Sequence, residues 1–250
     1  MIIDGCAWTG HWGTFALPGE VDAVLASLAA IGVDCVLLSP LDGVWAHDAH
    51  RANDAVYAAA RDQRQVRPVP LLDPTLPTWP EALARARAAG APAVRWLPAY
   101  AGFELADPRA ADCARAIRAA GLALWVQVRL EDPRRQHARA VVPDVAAAAV
   151  AEFAHRHPDL DVVIGGAAWK PLLDLTGAVA ALPHLYADVS QVDGMDSLLR
   201  LLDAGLAHRL LFATHAPFFV PLAGLARVVL DLPDAEAEAI LGGNERRLFH

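Results

Sequence analysis

Eight short apolar runs, rich in β-branched and aromatic residues and separated by stretches of helical spacing, restrict this chain to very few architectures. The runs are Ile2 to Ile3, Val33 to Leu38, Val66 to Leu72, Ala93 to Leu97, Leu122 to Val128, Val162 to Ile164, His184 to Val189 and Arg209 to Ala213. Between them, series such as Val21, Val24, Leu25, Leu28 and Ile31 make one apolar helix face at i, i+3, i+4 and i+7 spacing. The junctions repeat as well. Ile31-Gly32, Ala89-Gly90 and Ala120-Gly121 each put a glycine where a helix ends in a left-handed residue, with a strand directly after it. Thr78 with Pro80, Asp107 with Pro108, and Pro233 with Asp234 mark helix starts.

Strands that are apolar on both faces and alternate with helices call for a parallel sheet covered on both sides. Eight such units in 250 residues predict an α/β fold, a single (β/α)8 TIM-type barrel domain over residues 1–250. An open doubly wound sheet is the alternative. It usually carries a GxGxxG or GxxxxGK[ST] turn, and neither is present. With 55% hydrophobic and 20% charged residues the chain can bury a large core, which excludes disorder.

Several function classes fall away on composition. No apolar run approaches the roughly 18 residues that span a bilayer, and the start MIIDGCAW lacks a basic leader region, so a cytoplasmic protein is expected. A formal charge of −8 argues against nucleic acid or an anionic membrane as partner. Cys6, Cys35 and Cys113 have neither disulfide nor zinc-ligand spacing. Lys170 is the only lysine, so Schiff-base chemistry would have to use it.

In such a barrel the chemistry gathers at the C-terminal strand ends, and these are polar here. They offer Asp4, Cys6, Trp8 and His11 after the first run; Ser39, Asp42, His47 and His50 after the second; and Asp73 after the third. Arg95 and Tyr100 belong to the fourth run, the series VQVRLEDPRRQH from Val126 to His137 to the fifth, Asp188, Ser190 and Asp193 to the seventh, and His215 to the eighth. His155, His157, His184 and His208 precede strands and read as structural.

The segments Ile3-Asp4-Gly5-Cys6-Ala7-Trp8, His157 to Gly166, Leu185-Tyr186-Ala187-Asp188-Val189-Ser190, Leu210 to Phe218, and Ile240 to Phe249 (ILGGNERRLF) occur in that order. Together they resemble the amidohydrolase-related family over essentially the whole chain. The resemblance implies a (β/α)8 barrel and one of three activities: metal-dependent hydrolysis, nonoxidative decarboxylation of aromatic or unsaturated acids, or lactone hydrolysis without a metal. It also implies an HxH pair on the first strand, a histidine on each of the fifth and sixth, and an aspartate on the eighth as metal ligands. Those places hold Cys6 and Trp8, Gln127, Gly166 and His215. Two scattered ligands cannot make a catalytic zinc site, so no metal and no other cofactor is expected. A zinc relocated to His11, His47, His137 and His215 is the alternative.

The expected function is therefore hydrolysis, without the family's metal, of an ester, lactone or similar bond in a small carboxylated substrate. The catalytic candidates are His215 as general base, Arg129 as bidentate carboxylate anchor and His137 as a polar contact. Gln127, Arg95, Cys6, Trp8, His11 and Asp188 are the substrate-binding candidates. For Arg129 an ion pair with Glu131 or Asp132 stays open, and for His215 a buried histidine satisfied by Asp188. Two further readings compete with hydrolysis. One is a decarboxylase or other lyase in the same pocket, in which Arg129 orients the carboxylate and His215 protonates carbon. The other is a barrel that binds a ligand or partner and catalyses nothing, with loop side chains filling its mouth. A homo-oligomer is compatible with all three.

Overall fold

The computed structural model describes residues 1–249. All eight expected strands form: β1 (Ile2–Thr9), β2 (Val33–Pro40), β3 (Val66–Pro68), β4 (Ala93–Trp96), β5 (Ala123–Gln127), β6 (Val162–Gly165), β7 (Leu185–Asp188) and β8 (Leu210–Leu211). Every neighbouring pair is parallel, in the orders β1-β2-β3 and β4-β5-β6-β7-β8. Backbone hydrogen bonds join the two sheets at both seams. Arg95 N donates to Pro70 O and Leu72 N to Arg95 O, each at 2.9 Å. At the other seam Gly5 N donates to Phe212 O (2.8 Å), His215 N to Cys6 O (2.8 Å) and Trp8 N to Ala216 O (2.7 Å). The eight strands thus form the barrel that the alternation predicts.

Helices including Val21–Ala29, Asn53–Asp62, Trp79–Ala88, Pro108–Ala119, Ala147–Arg156 and Pro221–Asp231 surround it. The predicted junctions are real. Gly32, Gly90 and Gly121 have φ of 78°, 69° and 71°, so each helix stops at a residue without a Cβ and the next strand starts at once. Asp107 accepts from Arg109 N at 2.8 Å and caps the helix that opens with Pro108.

The period-2 alternation of the strands separates two cores. Outward residues such as Val94, Trp96, Leu124, Val126, Val162, Ile164 and Phe212 pack under the helices. Inward residues such as Leu37, Val69, Ala93, Trp125, Val163, Tyr186 and Leu211 fill the barrel. The same alternation carries Cys6, Trp8, Arg95, Gln127 and Asp188 inward near the C-terminal ends. β1 continues to Thr9, well past the apolar signal at Ile3, because Asp4 is satisfied inside the barrel by Thr214.

Candidate active site

One layer of polar side chains crosses the barrel near its mouth. Arg95, from β4, is wholly buried (0% exposed), and among the described residues no carboxylate lies within 4 Å of its guanidinium. Its Nη1 donates to Cys6 Sγ at 3.0 Å and to Gln127 Oε1, while Nε has no partner. The guanidinium lies over Trp8 and Trp125, 4.7 and 5.1 Å from their ring centroids. Burying an unpaired charge is costly, and two desolvated cation–π contacts offset part of that cost at roughly 2 kcal/mol each.

Two aspartates sit in the same interior. Asp188 accepts from Gly166 N (3.0 Å), Ser190 N (3.1 Å), Ser190 Oγ (2.6 Å) and Trp125 Nε1 (3.1 Å). Asp4 accepts from Thr214 N (3.0 Å), Thr214 Oγ1 (2.6 Å) and Cys6 N (3.1 Å). Burial raises both, Asp4 to about 6, against the pull of these donors. Burial also pushes the Cys6 thiol up to about 12, with Arg95 opposing it, so the sulfur stays protonated.

His215 follows β8 at φ 59°, a left-handed conformation uncommon for a side-chain-bearing residue, held by the bonds from its own N to Cys6 O and from Phe218 N to its O. Its Nε2 lies 2.6 Å from Leu130 O, so Nε2 carries the proton and Nδ1, 3.5 Å from Cys6 Sγ, is the acceptor. Burial lowers the imidazole to about 3 and keeps it neutral. The partner of this buried histidine is thus a carbonyl on the loop after β5, and Asp188 is committed to other donors.

Loops roof this layer. Trp12 contacts Phe218 (5.1 Å between ring centroids), Trp45 (5.8 Å) and Tyr100 (6.2 Å), and Phe218 and Phe219 lie 5.3 and 5.5 Å from His215. A cavity of about 50 Å³ remains beside Arg95, toward Leu71, Leu97 and Tyr100. The larger space at this end is a pocket of about 590 Å³ over β5, β7 and β8, lined by Arg129, Arg134, Ser190, Gln191, Asp193, Thr214, Phe219, Gly224 and Arg227. His215 is not among its lining residues; Gln191, on its wall, donates through Nε2 toward Arg129 O (3.1 Å) and Leu130 O (3.4 Å), the carbonyl that His215 also meets.

The expected residues therefore part into two groups. Cys6, Trp8, Arg95, Gln127, Asp188 and His215 come together. His137 and His11 do not: His137 is exposed on the loop after β5, accepting from Arg139 N at 3.2 Å, and His11 is exposed beside Asp42 and Glu20. Arg129 is no free anchor, because its guanidinium grips Asp144, with Nε at 3.0 and 2.9 Å from the two carboxylate oxygens. The partner is Asp144 rather than Glu131 or Asp132, and Asp132 pairs with Arg134. Lys170 is exposed at the start of a helix, outside the barrel interior.

Four participants escaped the sequence reading. Thr214 and Trp125 hold the aspartates, the Leu130 carbonyl holds His215, and Arg227 lines the side pocket with no carboxylate within 4 Å among the described residues. The Leu130 carbonyl had no sequence signal. Arg227 had one, as the single charge in the middle of an otherwise apolar helix.

A divalent metal does not fit this layer. Trp8 offers no lone pair, and the Arg95 cation already lies between Cys6 and Gln127. Gly166 cannot give way to a ligand: φ is +73°, and a Cβ there would sit 2.4 Å from Arg129 O and 2.6 Å from Gln127 Nε2. Among the described residues no three His, Cys, Asp or Glu side chains converge, and the relocated set fails because His11, His47 and His137 are exposed on separate loops while His215 is buried.

A parallel (β/α)8 barrel with its polar layer at the C-terminal strand ends defines the class. The sequence profile of the amidohydrolase family matches residues 4–250, and the chain belongs to that family. Among solved structures it is similar to a 5-carboxyvanillate decarboxylase from Sphingomonas paucimobilis, at 15% identity and a TM-score of 0.72, over 99% of this chain and 98% of the other. It is also similar to a probable 2-pyrone-4,6-dicarboxylic acid hydrolase from Acinetobacter baumannii with citric acid bound (13%, TM-score 0.70, 99% and 98%). A third is a dihydroxybenzoic acid decarboxylase from a Polaromonas species with bound manganese and the inhibitor 2-nitroresorcinol (16%, TM-score 0.69, 90% and 84%). A search of curated protein sequences finds no match. At these identities the structures establish the shared fold.

Proposed function

We propose that the chain binds a small carboxylic acid in the 590 Å³ pocket and acts on it as a lyase of the decarboxylase type. The observation that carries this reading is Arg227, a half-buried guanidinium bonded only to main-chain carbonyls of Val192 and Ala223, on the wall of a pocket of ligand size. A desolvated cation of that kind receives a carboxylate in charge-assisted geometry. Decarboxylases among the similar structures support this reading over the hydrolysis expected from the sequence. So does the proton that His215 Nε2 carries toward Leu130 O, which makes that nitrogen a donor, as protonation of carbon needs, and not the acceptor that activation of water needs.

In the proposed step the bond from carbon to the carboxylate breaks, carbon dioxide leaves, and the electron pair stays on carbon. Carbon takes the Nε2 proton of His215 once Leu130 moves aside, and Nδ1 takes the Cys6 thiol proton. The thiolate left behind faces the Arg95 cation until Nδ1 hands that proton back and solvent returns one to Nε2, which restores the starting tautomer. Incubation in deuterated water with hydroxybenzoates and unsaturated dicarboxylic acids tests this. Release of carbon dioxide with one deuterium on the vacated carbon is expected, and turnover to a ring-opened or de-esterified acid without carbon dioxide would overturn it.

A second reading, binding without turnover, is favoured by the complete burial of His215 beneath Leu130. It predicts that the same acids raise the melting temperature while none is consumed. In either case Arg227→Ala should weaken binding about tenfold or more, the usual worth of a charge-assisted contact.

A further inference from the structure

We propose that the Arg95 guanidinium occupies the place that a divalent metal has in barrels of this family and puts a single positive charge there, so that the chain carries a built-in cation and excludes a metal from that site. The ground is the geometry of the donors around one nitrogen. Cys6 Sγ and Gln127 Oε1 flank the head of Arg95, and Cys6 Sγ lies 4.0 Å from Gln127 Oε1 and 3.5 Å from His215 Nδ1. The 3.5 Å separation is the edge that metal–sulfur and metal–nitrogen bonds of about 2.3 and 2.0 Å make at a tetrahedral angle, and the 4.0 Å separation is wider than such an edge. Arg95 Nη1 enters this arrangement 3.0 Å from Cys6 Sγ and against Gln127 Oε1.

The sequence departs from the family's ligand pattern in the way such an exchange requires. Each departure suits an organic cation. The second first-strand position is Trp8, whose ring faces the guanidinium at 4.7 Å; the fifth-strand position is Gln127, a neutral acceptor for its N–H; the sixth is Gly166, with no side chain. Asp188 stands behind with its four donors, and the Arg95 charge works against the rise that burial gives its carboxyl. A guanidinium cannot be chelated away or exchanged, and it stays charged at any physiological pH. This inference concerns the charge on the barrel axis alone and does not rest on the decarboxylase reading.

Cobalt(II) tests it, because a cobalt–thiolate bond absorbs in the near ultraviolet. The wild type, purified and equilibrated with cobalt, should hold well under one equivalent per chain and show no thiolate band. Arg95→Ala removes the nitrogen lodged against Cys6 and Gln127 and should take up about one cobalt per chain, with a band that disappears in Arg95→Ala/Cys6→Ser. Arg95→Lys, which keeps a cation there, should remain colourless. Stoichiometric metal held by the wild type overturns the inference, and so does an Arg95→Ala chain that folds and stays colourless. Should Arg95→Ala fold only when cobalt is in the refolding buffer, the metal is supplying the missing charge and the inference stands. If it folds in neither buffer, the metal content of the wild type decides alone. None of these readouts uses an acid, so failure of the decarboxylase reading would be seen separately.

Discussion

His215 and Asp4 are both fully buried, yet they push stability in opposite directions as pH changes. The imidazole is lowered from its ordinary value to about 3, so between pH 6.5 and 3 the unfolded chain binds a proton there that the folded chain refuses. Stability from this group is present above pH 6.5 and drains away as pH falls. Asp4 is raised to about 6, so between pH 4 and 6 it is the folded chain that holds the extra proton, and its contribution is lost as pH rises through that window. Melting curves from pH 3.5 to 7 should therefore show the advantage of the wild type over His215→Asn shrinking toward acid. Its advantage over Asp4→Asn should shrink in the opposite direction. Parallel curves for His215→Asn would mean that the imidazole is not buried neutral. Arg95 teaches the complementary lesson about reading a sequence. It stands two residues after Ala93, so strand periodicity puts both on the inward face, and a charge inside an apolar strand was the visible signal. Arg129 looked equally well placed, but Asp144, fifteen residues further on, takes it, and no short-range pattern shows that pair.

At the scale of elements, the eight strands, the helices between them and the glycine stops were legible because each is written locally, in periodicity and in single residues such as Gly90 and Gly121. The roof was not. It depends on loops after β1, β2, β5 and β8 meeting in space, and aromatic residues there, such as Trp12 and Phe218, carry no mark that tells a loop plug from a ligand wall. The decisive contact is a main-chain carbonyl, Leu130 O, whose side chain is itself buried in the inner core. Leu130→Ala should thus cost about 2–4 kcal/mol, as truncation of a core leucine does, and should also loosen the segment from Val128 to Val145. Alkylation with a small thiol reagent reads the second effect. In the wild type the half-buried Cys35 should label while Cys6 and Cys113 stay protected, and in Leu130→Ala Cys6 should label as well. Labelling of Cys6 at the wild-type rate in both proteins would show that this loop does not guard the centre.

Over the whole molecule, the two ends of the barrel are closed by different means. The mouth is roofed by aromatic loops, whereas the N-terminal end is covered by the segment Asn244–Leu248, anchored by Asn244 Nδ2 donating to Ala207 O (2.8 Å) and Leu210 O (2.6 Å). Glu245 on this segment is wholly buried beside a cavity of about 750 Å³, and neither of its oxygens has a hydrogen-bond partner. Burial raises it well above the usual carboxylate range, and nearby Asp4 raises it further. The folded chain therefore keeps a proton on Glu245 at pH values where the unfolded chain has released it. That contribution to stability is fully present at acid pH and is lost as pH climbs through the raised value. Glu245→Gln keeps the shape and has no proton to release. Thermal unfolding at pH 5, 7 and 9 should find the variant close to the wild type at pH 5 and progressively more stable than it toward pH 9. A constant difference at all three values would mean that Glu245 is ionised in the folded chain throughout, and that the base of the barrel tolerates a bare carboxylate.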